Sequence, residues 1–152
     1  MELREATIDD AKFLFELRND PETVKQSQNR SPVKWKDHVD WLLEILSPQK
    51  RRHLYVAVEA HDDTAFAVDV GTGRLDLLDD DVMELSITVA PGARGRGVAK
   101  RIISALKDQA TEMGFPTQIA HVRENNVGSM IAFLKAGFIP TSNRIVMMTL
   151  KP

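Results

Sequence analysis

The chain has 152 residues, 43% apolar and 28% charged, the proportions of an ordinary globular protein long enough to bury a core. No apolar run approaches the ~18–20 residues of a membrane span, Met1-Glu2-Leu3-Arg4-Glu5 is unlike a secretory signal, and the absence of cysteine excludes disulfides, Cys-ligated zinc and any thiol nucleophile. The net charge of −2 conceals a segregation: residues 1–58 sum to zero, 59–84 carry nine acids against Arg74 alone, and 85–152 carry nine bases against three acids.

No linker, repeat or low-complexity tract divides the sequence, so one domain over residues 1–152, cytoplasmic by default, is expected. Residues 3–6 read as a short first strand. Thr7-Ile8-Asp9-Asp10 then looks like a helix cap with a carboxylate at the third helical position. Ala11, Leu14, Phe15 and Arg18 follow on one helical face, and Asp20-Pro21 ends that element. After a polar loop, Ser31-Pro32 opens a second helix whose Trp35, Val39, Leu42 and Leu46 share a face, and Ser47-Pro48 stops it.

The middle third is β. Residues 53–60 form a strand with Asp62-Asp63 as its turn. Residues 65–78 form a longer strand, broken by Gly71-Thr72-Gly73 at a bulge or bend. Asp79-Asp80-Asp81 turns into a third strand over 83–89. A glycine-rich loop leads to a long helix from Val98, with the stripe Val98, Ile102, Ala105, Leu106, Ala110 and Met113 and a C-terminal Gly114. Residues 117–122 read as a strand, Asn126 caps a helix to Ala136 that Gly137 ends, and 145–150 close the chain as a strand. The fold class is mixed α/β, a central mixed sheet with an antiparallel meander, one β-loop-α-β crossover and helices on both faces.

The chemistry concentrates in Pro91-Gly92-Ala93-Arg94-Gly95-Arg96-Gly97-Val98-Ala99-Lys100-Arg101. A strand entering a glycine turn that opens a helix aims several N–H groups at one spot, and Arg94, Arg96, Lys100 and Arg101 add four cations. A pyrophosphate needs that combination. A P-loop is excluded because Val98-Ala99 stands where Lys-Ser/Thr is required. A dinucleotide fingerprint lacks its third glycine, which is Lys100 here. The pattern Arg/Gln-x-x-Gly-x-Gly/Ala is met by Arg94-Gly95-Arg96-Gly97-Val98-Ala99. With the strand Met83-Glu84-Leu85-Ser86-Ile87-Thr88-Val89 before it, and with Asn126-x-x-Ser129 and Lys135-Ala136-Gly137-Phe138 after it, the chain resembles the GNAT superfamily of acyl-CoA-dependent N-acetyltransferases from about residue 3 to 150.

The resemblance implies acetyl-CoA as co-substrate. Its pyrophosphate would meet the amides of Arg94, Gly95, Arg96, Gly97, Val98 and Ala99. Its pantetheine would lie between two splayed central strands, beside main-chain groups of Ile87 and Val89, with Asn126 and Ser129 at the cofactor. Glu84 is the first candidate for the base that deprotonates the amine, and His121 on the neighbouring strand is the second. Where many family members have a tyrosine that protonates the leaving thiolate, this chain has Phe133. Without cysteine, direct attack in a ternary complex replaces any thiol acyl-enzyme.

Acceptor choice is expected in residues 18–41. Two stretches there, Leu17-Arg18-Asn19-Asp20-Pro21 and Trp35-Lys36-Asp37-His38-Val39-Asp40-Trp41, resemble amino-sugar nucleotide and ribosomal-protein N-terminal acetyltransferases. Arg18, Asn19, Trp41, Asp69 and Asp76 are the candidate acceptor residues, and the acidic block suits a cationic acceptor. The expected partner is a small amine or a protein N-terminus, with no nucleic acid, membrane or metal, and with a homodimer admitted. The competing reading is a weak or inactive acyl-CoA-binding sensor module.

Overall fold

The computed structural model describes residues 1–48, 51–61, 65–79, 81–141 and, as backbone, 145–150. The turn readings at Asp62-Asp63 and Asp80 lie outside the described residues. Strands β1 (Glu2–Glu5), β2 (Arg52–Ala60), β3 (Ala67–Leu77), β4 (Val82–Val89), β5 (Thr117–Arg123), β6 (Ile139–Pro140) and β7 (Ile145–Leu150) form one sheet in the order β1-β2-β3-β4-β5-β7-β6. Every neighbouring pair is antiparallel except β4 and β5. That parallel pair requires a crossover, supplied by α4 (Val98–Glu112).

Strand alternation sorts the side chains to two faces. Tyr55 and Ala57 of β2, Leu75 of β3, Met83 and Leu85 of β4, and Ala120 and Val122 of β5 join Val98, Ile102, Ile103 and Leu106 of α4 in the larger core. Phe133 of α5 (Val127–Lys135) and the following Phe138 complete it, edge to face at 5.1 Å. On the other face Leu54 and Val56 of β2 meet Leu14 of α1 (Ala11–Asn19) and Leu42 and Ile45 of α3 (Trp35–Ile45). Helices therefore cover both faces. Gly71 and Gly73 let α4 lie against β3: a Cβ at Gly71 would stand 3.0 Å from Ile102, and one at Gly73 2.8 Å from Leu106.

The irregularity expected near Gly71 is a register shift. Ala57 pairs with Gly71 but Val58 with Asp69, which leaves Val70 as the extra residue. The expected cap at Thr7 forms through Asp10, whose carboxylate accepts the Thr7 N–H at 2.8 Å.

Three expectations need correction. Asp20-Pro21 ends α1 but also starts α2 (Pro21–Gln26), with Asp20 accepting from the Thr23 N–H at 3.1 Å and Pro21 in the first turn. The same dipeptide is a stop for one helix and a start for the next. The second long helix begins at Trp35 rather than at Ser31-Pro32. Its buried face is His38, Leu42 and Ile45, and Trp35 is 49% exposed. The apolar spacing misses this because the buried histidine is polar by type. Burial lowers the pKa of His38 despite its 2.9 Å hydrogen bond with the Ala11 carbonyl. The short strand β6 also has no sequence signal.

Candidate active site

The side chains left over by the sheet's alternation floor a cleft on the α1–α3 face. Thr72, Arg74 and Asp76 of β3, Glu84, Ser86 and Thr88 of β4, and His121 and Arg123 of β5 all line it. Its volume is about 1350 Å³. Parallel pairing of β4 with β5 stops after Glu84 and Ile119, although β4 runs on to Val89 and β5 to Arg123. Beyond Glu84 the strands part. Ile87 and Val89 send their side chains to the α4 core yet still border the cleft, which leaves their main chain on its wall. From Glu84 to Val89 the strand advances roughly 16 Å at its usual rise.

At the far end of that run is the glycine–arginine loop. Gly95 and Gly97 adopt φ of 75° and 73°, left-handed conformations that L side chains resist. A Cβ on either would meet no atom within 4 Å, so the space above the loop is open. The N–H groups of Gly95, Arg96, Gly97, Val98, Ala99 and Lys100 donate to no acceptor among the described residues. Six amides at the positive end of α4 make an anion-binding nest.

The four cations of the loop have different fates. Arg94 donates to Asp20 at 2.6 Å, to the Thr23 hydroxyl at 3.3 Å and to the Val89 carbonyl at 3.3 Å. Burial pushes the Asp20 pKa up, but the Arg94 and Thr23 hydrogen bonds outweigh it and hold the carboxyl below its ordinary range. Arg101 pairs with Glu59 at 2.5 Å and Arg96 approaches the same carboxylate at 3.9 Å. Both side chains are off the cleft wall, and Lys100 is on it without an ion pair among the described residues.

At the near end Glu84 Oε1 lies 2.8 Å from His121 Nδ1. The two candidate bases are therefore one hydrogen-bonded pair. Glu84 sits directly across from Asp76 in the β3–β4 register. Asp76 is 8% exposed and held by Arg74 Nε at 2.8 Å and Arg52 Nε at 3.6 Å. Asn126 caps α5 by accepting the Ser129 N–H at 3.3 Å, and both residues line the cleft.

Among the expected acceptor residues, Arg18, Trp41 and Asp76 line the cleft. Asn19 and Asp69 do not. The Asn19 carboxamide is closed on the Val33 backbone through hydrogen bonds of 2.9 and 2.7 Å, and Asp69 pairs with Arg4 at 3.3 Å. Phe133 is 2% exposed and off the cleft wall, and so is the single tyrosine, Tyr55. Sequence reasoning missed Arg74 and Arg123. Arg123 donates to the Gln26, Ser27 and Gln28 carbonyls that end α2. Period-2 alternation from Asp76 and His121 would have put both arginines on the cleft face.

Comparison with known proteins follows the same lines. A domain from Methanocaldococcus jannaschii superposes with a TM-score of 0.84 at 22% identity, over 98% of this chain and 95% of that one. The spermidine N-acetyltransferase of Vibrio cholerae, solved with CoA and spermine, gives 0.80 at 18%, over 98% and 91%. The ribosomal-protein-alanine N-acetyltransferase of Brucella melitensis gives 0.73 at 20%, over 98% and 96%. A search of curated protein sequences gives no match. The acetyltransferase (GNAT) domain family model matches residues 1–139. With the splayed strands and the amide nest, that match means the chain belongs to the GNAT family of acetyltransferases.

Proposed function

We propose that this protein moves an acetyl group from acetyl-CoA to a primary amine by direct attack in a ternary complex. The observation that carries the reading is one continuous cleft with the amide nest at one end and the Glu84–His121 pair at the other. The pyrophosphate fits the amides of Gly95 to Lys100, and Lys100 supplies a cation beside them that has no ion pair among the described residues. The pantetheine arm fits the parting between β4 and β5, where main-chain groups near Ile87 and Val89 lack a β5 partner. Asn126 and Ser129 border the same run.

The acceptor reaches the cleft as an ammonium ion and must lose a proton to become a nucleophile. With Glu84 ionised, His121 donates Nδ1–H to it, and Nε2 keeps a lone pair for that proton. Glu84 fixes the tautomer and stabilises the imidazolium that forms, the division of labour of a carboxylate–histidine pair. The thioester carbonyl then accepts the amine, a strand N–H stabilises the oxyanion, and the thiolate leaves. Phe133 offers no hydroxyl for that thiolate. Ser129 and the imidazolium are two proton donors on the cleft wall that can take its place.

The test is acetyl-CoA turnover against a panel of amines with free thiol as readout. Glu84→Gln and His121→Gln should each lower kcat by roughly 10²–10⁴ with acetyl-CoA affinity unchanged. Unchanged turnover in both variants would mean that the base lies elsewhere. The V. cholerae neighbour is named for spermidine and the B. melitensis neighbour for ribosomal-protein alanine, so the fold serves a small amine and a protein alike. An amino-sugar nucleotide, a protein N-terminus or another small amine is the acceptor class in view. The lack of a tyrosine on the cleft wall favours one second reading, a module that holds acyl-CoA without turning it over. Tight cofactor binding with no thiol release from any amine would select it.

A further inference from the structure

Resting on the acetyl-transfer reading, we propose that the acceptor amine also carries an anionic oxygen group, a phosphate or carboxylate, recognised by Arg74 and Arg18. Arg74 stands on the cleft floor two residue pairs along from Asp76–Glu84, opposite Ser86. Its Nε is anchored on Asp76 Oδ2 at 2.8 Å, while its two terminal nitrogens make no hydrogen bond to any described residue. An arginine fixed at Nε presents a preoriented fork, the geometry that planar oxyanions accept.

Arg18 reaches the same cleft from α1. Its Nη2 donates to the carbonyls of Asn29 at 3.0 Å and Ser31 at 3.5 Å, and its Nη1 is buried without a partner. Burial alone lowers the Arg18 pKa, a sign that no carboxylate compensates its charge. A charged donor left unpaired inside a protein is costly, and an anion bound there removes the deficit.

Four acids of the block over residues 59–84 already have a cationic or imidazole partner among the described residues. Glu59 is engaged by Arg101, Asp69 by Arg4, Asp76 by Arg74 and Arg52, and Glu84 by His121. On the helical wall Glu22 accepts from Gln26 at 3.1 Å, and Glu44 is exposed at the end of α3. Asp69, Asp76 and Glu84 thus each have an arginine or histidine partner, although Asp76 Oδ1 is buried without a hydrogen bond, whereas the terminal nitrogens of Arg74 and Nη1 of Arg18 meet no acceptor among the described residues.

The experiment has two arms. In the first, protein saturated with CoA, so that the amide nest is filled, is titrated with inorganic phosphate against chloride at equal ionic strength, and Tm is followed. Phosphate should raise the Tm of the wild type. Each of Arg74→Lys, which keeps a charge beside Asp76 but loses the fork, and Arg18→Gln should lose at least half of that rise relative to its own phosphate-free value. No rise in the wild type, or an undiminished rise in both variants, overturns the proposal.

In the second arm, kcat/KM is measured for matched amines: glucosamine against glucosamine 6-phosphate, butylamine against 4-aminobutanoate, and spermidine. The anion-bearing member should be favoured at least about tenfold, and Arg74→Lys should erase the preference with the KM for acetyl-CoA unchanged. The two pairs separate phosphate from carboxylate. A preference for spermidine or for the members without an anionic group overturns the proposal. Thiol release from no amine would count against acetyl transfer itself, and the phosphate arm would then decide the anion site alone.

Discussion

Single side chains carry two consequences that can be measured directly. Asp10 accepts both terminal nitrogens of Arg4, at 2.8 and 2.9 Å, as well as the Thr7 N–H. The Arg4 hydrogen bonds hold its pKa below the ordinary aspartate range, and the Thr7 contacts add to this against the opposing effect of burial. A carboxylate depressed in the folded state stabilises above its unfolded pKa and loses that contribution as pH falls through the folded pKa. Asp10→Asn should therefore cost about 1–3 kcal/mol near neutrality, and the gap between variant and wild type should close in acid unfolding curves below pH ~4. Phe133 gives the second test. Restoring a tyrosine by Phe133→Tyr puts a hydroxyl into the Phe138 contact instead of the cleft. It should lower stability by about 1–3 kcal/mol and leave kcat unchanged. An increase in kcat would mean that the hydroxyl reaches the reacting sulfur.

Elements were legible where local signal and tertiary demand coincide. The helix at Val98 and its glycine stop follow from a stripe of which Val98, Ile102, Leu106 and Ala110 are buried, with Ile103 taking the place in the core expected of Ala105 and Gly114 at φ of 94°. The nest was legible because Gly95 and Gly97 state a backbone conformation as well as a composition. Gly97→Ala should cost only about 1–2 kcal/mol of stability from its left-handed φ, since its Cβ meets no protein atom. The same methyl would occupy the space offered to the phosphates, so the Kd for acetyl-CoA by calorimetry should rise far more than the Tm falls. What sequence could not give is pairing across elements. Nothing local couples Glu84 to His121, Arg94 to Asp20, or Arg123 to the end of α2, because each pair is joined only when distant strands and helices meet. The acidic block misled for the same reason. Its count is a property of sequence, but its availability depends on which arginines the fold brings alongside.

At the scale of the whole molecule the sheet has a narrow waist. Strands β1 to β4 form one antiparallel set, β5, β7 and β6 another, and between them only Val82, Met83 and Glu84 pair with Thr117, Gln118 and Ile119. The crossover helix α4 and this short seam bear the load that continuous pairing bears in a closed sheet. A ligand lying in the gap acts as a removable strand. At about 100 times its Kd, CoA should stabilise the chain by about 2.7 kcal/mol through mass action. Amide exchange should slow on both flanks of the gap, from Ile87 to Val89 and from His121 to Arg123, and not only at the loop. Protection confined to the loop would mean that the two sets of strands are already rigid without it. Protection on both flanks would mean that a ligand bound in the gap closes the waist from both sides, so that the half-sheets open less often the more of the chain is loaded.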